Sequence, residues 1–412
     1  MDISSSNTRP QRPAGGGSLM DRFVAGRLQH ALRNAKDLAL RVRLPSGFSF
    51  RCGNPTVTEE LDWQLNSWNA VWRSFSSGAL GFAEGYINHE WDSEDLQALL
   101  SRFAVELDGI NTAQAKSGPS RLLGRWRHQR NANSKSGSKR NIAFHYDLGN
   151  EFYRLWLDDS MTYSSAIFED MGEDLKIAQT RKYRRICDEL QLQPGQRVLE
   201  IGCGWGGFAE VAARDYGCHV TGLTLSQEQL DFARARMERQ GLSDQTDLRF
   251  QDYRDVTGEF DAIASIEMFE AVGEEHWDTY FRQVDALLKP GSRAALQIIT
   301  IRDSDFEGYR SSVDFIQKYV FPGGMLPTNA HLDRLAREAG LEPENTEMFG
   351  KSYAETLRRW HQDFLARWED IRPLGFDDRF HRIWRYYLAY CEAGFDAGRI
   401  DVGQFTYVKP AS

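Results

Sequence analysis

One stretch limits the fold more than any other: Val198-Leu199-Glu200-Ile201-Gly202-Cys203-Gly204-Trp205-Gly206-Gly207-Phe208. A short apolar run enters a glycine-dense turn, and Phe208-Ala209-Glu210-Val211-Ala212-Ala213 then reads as a helix. Strand, tight turn and helix N-terminus in that order bring backbone N–H groups close to a bound polar ligand. The glycines fall at 202, 204, 206 and 207, which is not the Gly-x-Gly-x-x-Gly spacing of dinucleotide sites. Glycine turns also end ordinary strands, so the flanks must decide.

From Asn141 onward, strand and helix patterns alternate, which implies a mostly parallel sheet. Strands are expected at Val198–Ile201, His219–Leu223, Leu248–Gln251, Ala262–Ser265 and Ala294–Ile299, with two more near Glu344–Phe349 and Gln404–Val408. Helices fit between them at Gln227–Gln240 and Trp277–Leu288, the second closed by Lys289-Pro290-Gly291 as a stop and a turn. The expected fold is α/β, a doubly wound seven-stranded sheet that binds ligands at the carboxyl ends of its strands. Helical insertions are expected at 302–330 and 351–398. Their aromatics, among them Phe315, Tyr319, Trp360, Trp384 and Tyr387, suit the walls of an apolar cavity and ordinary packing equally.

The rest of the 412 residues divide into a flexible tail (1–18), a small α+β domain (19–115) and a basic linker (116–140), ahead of a catalytic domain at 141–412. Helical periodicity runs from Phe23 to Leu40 and again from Leu96 to Leu107. Val42 to Phe50 reads as strand, turn and strand. Trp63, Trp68, Trp72 and Trp91 are better explained as core than as a cofactor site, with a lipid-facing place open to some of them. Net charge is −9, which excludes nucleic acid as an electrostatic partner of the whole chain. Arg121 to Arg140 nevertheless holds seven cations and no acid, a patch suited to a solvated linker or to anionic lipid. Five scattered cysteines without a Cys-x-x-Cys pair point away from zinc or disulfides and towards a reducing cytoplasm. No run approaches the ~20 apolar residues of a transmembrane helix.

Several ordered segments then converge on one family. These are His145-Tyr146-Asp147-Leu148-Gly149-Asn150, Met161-Thr162-Tyr163-Ser164-Ser165-Ala166, Thr224-Leu225-Ser226-Gln227-Glu228-Gln229, Gln251-Asp252-Tyr253-Arg254-Asp255, Phe269-Glu270-Ala271-Val272-Gly273 and Tyr319-Val320-Phe321-Pro322-Gly323-Gly324. The glycine turn resembles that of class I methyltransferases using S-adenosylmethionine (SAM), and the full set resembles the cyclopropane-fatty-acyl-phospholipid synthases. The resemblance covers about 141–410. It implies transfer of the SAM methyl to the cis double bond of an unsaturated phospholipid acyl chain, followed by loss of a proton and ring closure. A methyl-branched or methylene product and a small-molecule acceptor stand as alternatives. The expected partners are unsaturated phospholipids, approached peripherally at the inner membrane from the cytoplasm, and a second copy of the chain.

By the same resemblance, Tyr163 and Ser164 hold the methionine end of SAM, and Gly202, Gly204 and Gly206 admit it to the backbone. Thr224, Leu225 and Gln229 surround the ribose, and Gln251 and Asp252 lie near the adenine. Taken alone, Asp252 reads equally well as a capping or turn residue. Proton removal is assigned in the family to a bound bicarbonate ion; Glu270, Tyr353, Ser165 and the Ile266 backbone N–H match positions that hold it. The chain departs from the family where Ser165 replaces a common Cys, Ile299 and Ala271 common His residues, and Glu267 a common Gly. Ile299 has no side-chain donor for an anion. Glu267 is expected to face solvent or pair with an arginine, without a catalytic role. His145 and Cys391 are expected to be structural, and Asp303 and Asp305 to form a solvated turn.

Overall fold

The computed structural model describes residues 17–114 and 148–411, and the side chains of all of these except Phe75 and 107–114. Residues 1–16 of the tail, the basic run at 121–140 and His145 lie outside them, and Ser18, expected in the tail, caps the first helix. The described residues form two compact units, divided between Lys116 and Ser117.

In the first unit, α1 (Leu19–Ala31) precedes β1 (Ala39–Arg43), β2 (Ser49–Gly53) and β3 (Leu61–Leu65). Then follow α2 (Trp68–Ile87), β4 (Trp91–Asp92) and α3 (Leu96–Gln114). The sheet order is β2-β1-β3-β4, with β1 parallel to β3 and the other pairs antiparallel. A capping box starts α1, Ser18 and Asp21 each accepting the other's backbone N–H. The helix expected to reach Leu40 stops at Ala31. Leu40 and Val42 are buried and Arg41 and Arg43 exposed, so a period of two governs there and Ala39–Arg43 pairs as a strand. Trp63 and Trp91 are core, in edge-to-face contact at 6.3 Å, but Trp72 is 60% exposed on α2.

The second unit opens with α4 (Asn150–Arg154) and α5 (Leu175–Glu189). Next come β5 (Arg197–Ile201), α6 (Gly207–Tyr216), β6 (His219–Thr224), α7 (Gln227–Arg239), β7 (Thr246–Phe250), β8 (Phe260–Ile266), α8 (Trp277–Leu287) and β9 (Leu288–Ile301). The chain ends through α9 (Asp303–Arg310), α10 (Phe315–Tyr319), α11 (Asn329–Ala339), β10 (Glu342–Met348), α12 (Gly350–Ala366), α13 (Trp368–Ile371), α14 (Asp378–Asp396) and β11 (Ile400–Val408). All seven expected strands form one sheet, in the order β10-β11-β9-β8-β5-β6-β7, and only β11 runs against its neighbours.

Alternation along the central strands builds a core on each face. Val198, Val220, Ala262 and Ala264 pack with Ile186, Phe208, Ala212 and Leu230 of α5, α6 and α7. Leu199, Ile201, Ile263 and Leu296 pack with Phe281 and Val284 of α8 and Leu335 of α11. Each valine, leucine, isoleucine or phenylalanine among them contributes about 1.5–3 kcal/mol when fully buried. The stop after α8 is present, but the expected turn is not separate. Lys289-Pro290-Gly291 is absorbed into β9 as a register shift opposite Phe260 and Ala262. Asp303 and Asp305 also depart from the expected solvated turn. They lie in the first turn of α9, where negative charge suits the helix dipole, and Asp305 pairs with Arg302 and Arg399.

Candidate active site

Strand order reverses between β5 and β8, and in such sheets ligands bind beyond the carboxyl ends at that point. The chain after β5 is the glycine turn. Gly202 (φ +89°), Gly204 (φ +50°) and Gly206 (φ +83°) all adopt left-handed backbone. A Cβ on Gly202 would stand 2.8 Å from Met268 Cγ. The N–H groups of Gly202 and Cys203 donate to Leu223 O at 3.1 and 2.7 Å, fastening the turn to β6. Burial pushes the Glu200 carboxyl up to about 8 against the pull of Arg236. Trp205 Nε1 donates to Asn150 Oδ1 at 2.6 Å.

The neighbouring strand ends gather the other residues expected around the cofactor. Thr224 Oγ1 donates to Gln229 Oε1 at 2.9 Å and accepts from Ser226 N, with Leu225 half-buried between them. Gln251 N donates to Thr224 O, and its side chain donates to Asp255 O. Asp252 is buried; it caps the turn through Arg254 N and takes the Arg254 guanidinium on both oxygens, at 2.8 and 2.7 Å. Tyr163 OH lies 2.8 Å from Tyr387 OH, and its ring packs on Trp156 and Trp360. Ser164 Oγ accepts from Lys182 Nζ at 2.5 Å.

Beyond β8 a second cluster assembles around Glu267, whose φ is +49°. Its Oε1 accepts from Ser165 N and from Gln297 Nε2, both at 2.8 Å, and its Oε2 accepts from Tyr353 OH at 2.8 Å. Glu267 is therefore half-buried and pairs with no arginine among the described residues. It is turned inward because a backbone N–H, an amide and a phenol converge on it, and the charge facing it is the Lys182 ammonium. Burial raises the Glu267 carboxyl, while Lys182 and the three donors pull it back down. Burial brings Lys182 down to about 7, with the charges of Glu267 and Asp158 opposing. Glu270 is pushed up to about 8 by burial and then by the Glu267 charge. Glu270 Oε1 accepts from Ile299 N at 2.5 Å, and among the described residues its buried Oε2 has no partner. Ile299 thus serves an acid through its backbone although its side chain cannot.

The residues matched to a bicarbonate ion do meet here, but they do not fit one. Ser165 N and Tyr353 OH both donate to Glu267, and the Ser165 hydroxyl donates to Ala166 O at 2.9 Å. Ile266 closes β8 opposite Gln297. Sequence reading overlooked Lys182 and Gln297, and each carried a signal. Lys182 and Gln179 interrupt the buried stripe Leu175, Ala178, Tyr183 and Ile186 of α5, and Gln297 interrupts the apolar run of β9. A polar group at a core position must find partners.

Known proteins match this chain in sequence and in fold. The family model described as mycolic acid cyclopropane synthetase matches residues 133–405. The tuberculostearic acid methyltransferase of Mycobacterium tuberculosis is 38% identical over 340 residues, 81% of this chain and 79% of that protein. The cyclopropane-fatty-acyl-phospholipid synthase of Escherichia coli K12 is 38% identical over 338 residues, 82% and 85% of the two chains. The crystal structure of mycolic acid cyclopropane synthase CmaA1 with SAH and CTAB superposes with a TM-score of 0.62 at 30% identity, covering 65% of this chain and 97% of that one.

Proposed function

The chain belongs to the mycolic acid cyclopropane synthetase family and is a SAM-dependent methyltransferase that modifies lipid; we propose that its acceptor is the cis double bond of an unsaturated phospholipid acyl chain and its product a cyclopropane. The observation that carries this reading is the half-buried acid cluster of Glu267 and Glu270 at the switch point, within a wall of aromatic rings. Tyr353 contacts Trp360, and Trp360 contacts Tyr163.

The residues at the strand ends fit SAM. Three left-handed glycines open the backbone, and Thr224, Gln229, Gln251 and Asp252 line the ends of β6 and β7. When bound, SAM supplies an electrophilic methyl on a sulfonium. An alkene is a weak nucleophile, so the chain's first task is to hold the two reactants in line. Positive charge then develops on carbon, and water would trap it; buried aromatic residues exclude water. Aromatic faces stabilise a cation by about 0.5–2 kcal/mol each. Tyr163 packs against the aromatic wall and Ser164 accepts from Lys182.

Lipid access fits the first unit. Leu19, Met20 and Phe23 expose apolar side chains on α1 (87%, 43% and 61% exposed), with Arg22 and Arg27 on the same helix. No helix among the described residues is long and apolar enough to cross a membrane, so the proposed engagement is peripheral. The equal identity to the tuberculostearic acid methyltransferase supports a second reading, a methylene or methyl-branched chain. Incubation with SAM and vesicles of dioleoyl phosphatidylglycerol decides between them. The expected product is heavier by one CH2, with upfield ring protons in its NMR spectrum; olefinic methylene protons favour the second reading, and no mass gain on any unsaturated lipid sinks both.

A further inference from the structure

We propose that Glu267 is a catalytic base built into this chain, its carboxylate taking the proton that closes the product in place of a bound bicarbonate ion. The inference rests on the lipid-methylating reading above and assigns its last step.

Three observations converge. First, the carboxylate already takes the hydroxyl of Tyr353, one of the groups matched to the anion, together with Ser165 N and Gln297 Nε2, each at 2.8 Å. A second anion there would face the Glu267 carboxylate without those hydrogen bonds, and unpaired buried charge is strongly unfavourable. Second, the carboxylate is held from several sides. Gln404 Nε2 donates to Gln297 Oε1 at 3.1 Å, which turns the Gln297 amide so that its nitrogen points at Glu267. Lys182 supplies a counter-charge, itself anchored by Ser164 Oγ and Gln179 Oε1 at 2.5 and 2.7 Å. Third, Glu267 sits at φ +49°, a left-handed conformation that a side chain other than glycine adopts at a penalty of about 1–2 kcal/mol. Such strain persists where surrounding contacts over-determine it, and it clusters at functional sites.

The two oxygens differ. Oε1 takes two donors, whereas Oε2 takes the Tyr353 hydroxyl and keeps a lone pair for a proton. The step balances without another reactant. A C–H bond of the newly transferred methyl breaks, its proton goes to Glu267 Oε2, and its electron pair forms the third C–C bond at the cationic carbon. Glu267 is left neutral and returns the proton to solvent before the next turnover.

The test uses the full-length protein. 13C-labelled bicarbonate is titrated into the wild type and into Glu267→Gly and followed by NMR. Glycine suits the +49° backbone, so this variant is expected to fold. The wild type is expected to show no bound bicarbonate and Glu267→Gly to bind it; bicarbonate bound at this site in the wild type overturns the proposal. Turnover on dioleoyl phosphatidylglycerol vesicles is then measured in CO2-stripped buffer with and without added bicarbonate. Wild-type rates should agree within about twofold, Glu267→Gln should lose about 100-fold or more with SAM affinity retained, and Glu267→Gly should be rescued by bicarbonate. Wild-type turnover that collapses on stripping and returns with bicarbonate overturns the inference, as does a fully active Glu267→Gln. A wild type that methylates no lipid overturns the functional reading instead, and leaves the NMR result to say which anion fills the site.

Discussion

The turns after β5 and β8 leave neighbouring strands at the same edge of the sheet, yet they are specified differently. The first carries its instructions locally: Gly202, Gly204 and Gly206 take positive φ because no Cβ opposes it. The second holds a glutamate in a conformation that favours glycine, kept there by Ser165, Lys182, Gln297 and Tyr353 from four separate segments. A site made by local geometry tolerates changes elsewhere. A site made by convergence fails when any remote contributor is lost.

The sharpest way to break this contrast is Lys182→Met. If the β8 turn depends on assembly, removing the fully buried ammonium that faces Glu267 should destabilise the protein by about 3–5 kcal/mol in urea unfolding below pH 7, where Lys182 holds its proton. A loss below about 1 kcal/mol would mean that the three hydrogen bonds suffice and Lys182 is a bystander. The matching test on the β5 turn is Gly202→Ala, where the +89° backbone and the approach of Met268 act together. About 1–3 kcal/mol of stability should go, and SAM affinity by calorimetry should weaken at least about tenfold. Unchanged SAM affinity there would remove the turn from the cofactor site.

A smaller effect separates the two turns by pH. Glu200, before the first turn, holds its proton up to about 8 when folded and loses it near 4.5 when unfolded. The folded state binds the extra proton between those values, so this contribution is present in full below about 4.5 and lost as pH rises towards 8. Glu270 acts in the same sense, and Lys182, lowered to about 7, acts in the opposite sense above that pH. Glu200→Gln should therefore gain stability over the wild type by on the order of 1–2 kcal/mol at pH 8 but not at pH 4.5, read from thermal melts at both. An equal effect at both pH values would show that Glu200 is ionised in the fold.

Legibility in the sequence followed the range of the interaction. The seven strands were readable because alternation and apolar runs are properties of a few adjacent residues, and Val198 to Phe208 announces strand, turn and helix in eleven letters. The helix expected to continue to Leu40 failed because a helical and a strand pattern overlap there, and pairing with β2 and β3 settled the matter. Between the core and a lipid-facing place the sequence left Trp72 open, and it is exposed, since an aromatic residue does not state which face of its helix is covered. Ser165 and Tyr353 were recognisable positions, but their common target was not.

By itself, then, the sequence determined the doubly wound sheet, the glycine turn and the family, all of which follow from backbone preference and patterning over short distances. Only the tertiary structure decided what Glu267 is. In the sequence it is a carboxylate at a strand end; in the fold, Ser165, Gln297 and Tyr353 point their donors at it and Lys182 faces it with the opposite charge. Buried charge is tolerated only where partners converge, and those partners lie as far as 102 residues away along the chain on one side, at Ser165, and 86 on the other, at Tyr353.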